Sequence, residues 1–113
     1  MAKFMLLLYA PKEGMFRDLS PEEMQKATAK YMAWLEKPHT LDGKRLGDDV
    51  GRVLRSNGGK PTVKDGPYSE TKEVLGGYYT IEAANYEEAV KLALENPQLE
   101  YGGTIEVRQV YGS

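Results

Sequence analysis

The sequence contains no cysteine, and it has one histidine, one tryptophan and two phenylalanines. Without cysteine, thiol nucleophiles, thiolate zinc sites, iron–sulfur clusters and disulfides are all excluded. A single histidine excludes a histidine-rich metal centre. Long apolar runs are missing as well. The stretch Phe4 to Tyr9 gives way to Pro11 and lacks a small-x-small cleavage site, so it is no export signal, and a membrane span needs about 20 apolar residues. Neither sign of charge dominates: 15 Lys plus Arg face 17 Asp plus Glu, a net charge of -2. No global field therefore draws nucleic acid or an anionic membrane. Nor is there a P-loop, a G-x-S-x-G, an H-E-x-x-H or an EF-hand spacing. These absences lead us to expect a cytoplasmic chain without metal or cofactor, and with no nucleic-acid or membrane partner.

What is present suits one globular domain over residues 1–113: 41% hydrophobic and 28% charged residues, in a chain of ordinary single-domain length. Phe4 to Tyr9 reads as a buried strand. Ser20-Pro21-Glu22-Glu23 is a capping box with proline at the first helical position, and Met24, Ala27, Tyr31, Trp34 and Leu35 recur at helical spacing before Pro38. Thr40 to Gly51, rich in glycine and aspartate, reads as a loop or irregular edge. Asn57-Gly58-Gly59 is a hairpin turn between Arg52–Ser56 and Pro61–Lys64. Val74 to Ala83 is a strand rich in aromatic and β-branched residues. Asn85 caps a second helix, which Asn96-Pro97 stops, and Thr104 to Tyr111 is a last strand. The predicted fold is α+β, a ferredoxin-like antiparallel sheet with two helices on one face and one short extra strand from the central hairpin.

The first strand is apolar on both faces, with Phe4, Leu6 and Leu8 opposing Met5, Leu7 and Tyr9. Such a strand needs cover on both sides, and two helices supply one. The sequence thus predicts a homodimer packed sheet against sheet.

Candidate chemistry is sparse. His39 follows a helix end and reads as a loop residue or helix-dipole partner more readily than as a base. Asp48-Asp49 lacks the spacing of a carboxylate metal site. The segment Asp65 to Tyr79 is richer, with an acid beside a Gly-Pro bend, several charges and Gly76-Gly77 inside a strand. A glycine pair there marks a bulge or the close approach of a backbone or ligand. Asp65, held at the bend and partly desolvated, is a candidate general acid or base; a turn-forming aspartate is the plainer alternative. Pro67, Tyr68, Glu70, Lys72, Gly76, Gly77 and Arg108 are candidate substrate-binding residues. Glu106 and Arg108 share one face of the last strand, as an ion pair, a polar ligand site or wet edge residues.

The run Asp65-Gly66-Pro67-Tyr68-x-Glu70-x-Lys72-Glu73-x-Leu75-Gly76-Gly77-Tyr78-Tyr79 resembles the signature of the DGPF-motif branch of YCII-related proteins. Lys3 to Leu7, Leu19 to Met24 and Gly103 to Arg108 are similar to that family's start and close. The resemblance implies a dimeric α/β barrel and a regulatory association. Some YCII-like members are proposed to use a histidine–aspartate pair. This chain has Leu19-Ser20-Pro21 where that histidine lies, so only the aspartate carries over, as Asp65. Two functions compete: a homodimeric module that binds a small organic ligand or regulates, and a small cofactor-independent lyase or isomerase using Asp65.

Overall fold

The computed structural model describes residues 1–68 and 72–113. The long apolar strand predicted at the start is β1 (Ala2–Pro11). It lies at the centre of a four-stranded antiparallel sheet, between β5 (Glu73–Ala83) and β6 (Thr104–Gln109), with β2 (Thr40–Arg45) outside β5. The order β2-β5-β1-β6 is consistent with a ferredoxin-like fold. Helix α1 (Pro21–Leu35) begins as its capping box dictates: Ser20 Oγ accepts from the Glu23 amide at 3.1 Å, and Glu23 Oε1 accepts from the Ser20 amide at 3.0 Å. Asn85 caps α2 (Tyr86–Ala93) through the Glu88 amide.

Phe4, Leu6 and Leu8 of β1 face the helices with Tyr79, Ile81 and Ala83 of β5, and are closed over by Trp34, Ala89 and Ala93. In register on the opposite face, Met5 pairs with Arg108 and Leu7 with Glu106. Met5, Leu7 and Tyr9 are only half-buried.

Two expectations are corrected and one open alternative is decided. First, Asn96-Pro97 stops one helix and starts another: Asn96 accepts from the Gln98 amide at 2.9 Å, and α3 (Pro97–Glu100) follows, making three helices among the described residues. Second, the stretch that reads as a loop or irregular edge holds the edge strand β2, whose pairing with β5 shifts register between Thr40 and Asp42, so the edge alternative is the one the structure shows. The sequence of β2 shows no alternation because most of its side chains are exposed, so burial imposes no pattern. Third, the hairpin strands β3 (Arg52–Asn57) and β4 (Lys60–Asp65) contribute nothing to the main sheet. They pair with each other as a separate two-stranded arm, turning at Gly58 and Gly59, whose φ angles of 61° and 84° fit the hairpin turn.

Candidate functional site

The glycine pair in β5 resolves into two different tasks. Leu8 of β1 faces Gly77 but Tyr9 faces Leu75, so Gly76 is the extra residue of a bulge. A Cβ on Gly77 would lie 2.8 Å from the Lys44 carbonyl oxygen, so β2 can approach only glycine there. The Gly76 carbonyl accepts from the Leu46 amide at 2.9 Å, which ties the β2–β3 loop to the bulge. On the other side, the Lys12 amide donates to the Lys72 carbonyl at 2.7 Å and anchors the loop between β1 and α1.

Between these two loops, α1 and the start of β5 lies a cavity of about 580 Å³. Its walls include Phe16, Met24, Thr28, Leu46, Gly76 and Gly77. Tyr31 and Gln98 belong to the same wall and are bonded, Tyr31 Oη donating to Gln98 Oε1 at 2.7 Å. Burial holds the Tyr31 phenol far above its usual range and pushes the Tyr79 phenol up to about 12. Both rings are therefore neutral at any physiological pH.

Of the residues singled out from sequence, the structure brings Gly76 and Gly77 to this cavity, together with Tyr78, Tyr79 and the Asp48-Asp49 pair. The others stand elsewhere. Asp65 ends β4, its side chain 81% exposed and 3.3 Å from Arg52. Pro67 follows a cis Gly66-Pro67 bond, and Tyr68 is exposed, with the Arg55 guanidinium 5.0 Å over its ring. Lys72 is exposed, and Glu70 lies outside the described residues. Arg108, on edge strand β6, pairs with Glu106 at 3.4 Å, while Glu106 also accepts from Tyr9 at 3.1 Å. That pairing lies on the face away from the helices.

His39 is half-buried rather than free in a loop. Its ring packs edge-on against Trp34 at 4.8 Å, and Nε2 is enclosed without a hydrogen-bond partner among the described residues.

Sequence reading passed over Tyr31 as core, and passed over Gln98 altogether. One signal was present for Gln98: Asn-Pro is an N-cap followed by a first-turn proline, which predicts a new turn and turns Gln98 inward. The register of the loops that wall the cavity had no such signal.

The sheet order and the helices packed on it define an α+β fold consistent with a ferredoxin-like one. Residues 2–112 match the YCII-related domain, and the chain belongs to that family. An uncharacterized protein of Rhizobium meliloti (strain 1021) is 42% identical over 60 residues, 50% of this chain; the match spans 46% of that relative, about half its length. No helix among the described residues is long and apolar enough to cross a membrane.

Proposed function

We propose that the chain is a small-ligand-binding module of the DGPF branch, acting as a homodimer, with its ligand in the cavity beside α1. The cavity itself carries this reading: its volume of about 580 Å³ falls among those of ligand pockets, roughly 300–1,000 Å³, and its walls combine apolar side chains with polar and charged ones. The motif supports the branch, because its closing Gly76-Gly77-Tyr78-Tyr79 contributes to the cavity wall. A ligand that binds only the folded state raises its apparent stability. Fractionated metabolite pools are therefore expected to raise the melting temperature of the wild type but not of Thr28→Trp, whose indole fills the cavity. Absence of any shift, or an equal shift in the variant, would overturn the reading.

The homodimer packs the open sheet face against its copy, as a dimeric α/β barrel. Support comes from half-buried Met5 and Leu7, over which no described helix lies, and from a thickness of only 19 Å. A cytoplasmic location belongs to the same reading and is tested by cell fractionation.

A catalytic version rests on Asp65. Leu54 and Val63 lie opposite each other on the arm and are 67% and 66% exposed, a surface that invites cover. A partner covering the arm would desolvate Asp65 and fit it for acid–base work. Asp65→Asn then abolishes turnover while cavity binding persists; wild-type binding without turnover removes this version.

A further inference from the structure

We infer that the cavity's ligand has an apolar end that donates a hydrogen bond, from a hydroxyl or N–H group, to the oxygen of Tyr31. This rests on the cavity being a ligand site, as proposed above. The protons of the Tyr31–Gln98 part of its wall are already committed, while the cationic side chains of Lys12, Arg17, Lys44 and Arg45 also line the cavity. Gln98 is 4% exposed, and its Nε2 stands 2.7 Å from the Tyr9 carbonyl, which can only accept; that contact fixes which way the amide points. The Met15 sulfur, 3.5 Å away, faces the same nitrogen. Gln98 Oε1 is thereby left for Tyr31, and at 2.7 Å the Tyr31 hydroxyl must give its proton to it. The Tyr79 hydroxyl likewise donates to the Tyr31 carbonyl at 2.9 Å.

What Tyr31 still offers is an oxygen lone pair. A carboxylate or phosphate against this oxygen meets another acceptor and loses its hydration without compensation there. A donor gains a bond there. Phe16, edge-on to Tyr31 at 6.1 Å, and Met24 and Leu35 beside it supply contact for the ligand's apolar body. Because burial raises both phenols, neither ring becomes a phenolate that would change this polarity.

Calorimetric titration near neutral pH with 4-propylphenol and its methyl ether 4-propylanisole tests the inference. The phenol is expected to bind about fivefold or more tightly than the ether, the yield of one net hydrogen bond. Thr28→Trp should lose both, and Leu46→Trp repeats the comparison if that variant does not fold. Equal binding of phenol and ether overturns the donor requirement and leaves the cavity as a ligand site. No binding by any probe, or binding undiminished in both tryptophan variants, overturns the site reading together with it.

Discussion

Gly77 and His39 each make the physics of one position measurable. A methyl group on Gly77 would meet the Lys44 carbonyl oxygen, a backbone atom that cannot step aside. Gly77→Ala is expected to cost about 1–3 kcal/mol, the usual range for forced overpacking, in urea denaturation. For His39, burial first and the Lys37 charge second hold the imidazole below its ordinary value. The unfolded chain then takes up a proton near pH 6.5 while the folded chain resists it. Stability contributed by the neutral ring is present above that pH and is lost as pH falls toward the lower folded value. Wild type should therefore lose more stability than His39→Phe between about pH 7.5 and about pH 5.5, above the range where carboxylates titrate. Equal losses would contradict the assignment. The bulge glycines were legible in the sequence because glycine inside a strand has few other reasons to be there. The commitments of Tyr31 and Gln98 were not, since a helical stripe names the face and says nothing of what a hydroxyl meets 67 residues on.

At the scale of elements, local chemistry foretold local structure. Ser20 and Glu23 announced α1, Asn85 announced α2, and Asn57-Gly58-Gly59 announced the arm. The elements left open or missed are those whose logic is non-local. β2 is a strand only because β5 lies beside it, and its exposed residues carry no period. α3 is one turn, too short for periodicity, and is recognisable only by its cap. Asn96 is itself buried, and its side chain holds the first turn of α3 through the Gln98 amide. Asn96→Ala is expected to cost about 1 kcal/mol, as lost N-caps do, and to weaken probe binding by releasing Gln98. Unchanged binding would separate α3 from the cavity. The arm, paired only with itself and fully exposed along β4, should exchange its amide hydrogens far faster than β1 or β5.

The whole molecule is flat, 45 × 42 × 19 Å, with a radius of gyration of 15.8 Å against roughly 13 Å for a compact domain of this length. The projecting arm and a sheet covered by helices on one side account for that shape. The two-faced apolar pattern of β1 was readable from sequence, and it is the reason for the proposed dimer. Sedimentation at micromolar concentration is expected to give twice the 12.7 kDa chain mass, and Leu7→Arg on the open face is expected to give a folded monomer. A wild-type monomer would contradict the dimer while leaving the cavity untouched, because every wall named for it comes from one chain.

Mapping amide chemical shifts by NMR while 4-propylphenol is added addresses the cavity itself. The account predicts perturbations gathered at Thr28, Leu46, Gly76 and Gly77. Perturbations confined to the arm around Asp65, or to the sheet face around Glu106 and Arg108, would contradict it.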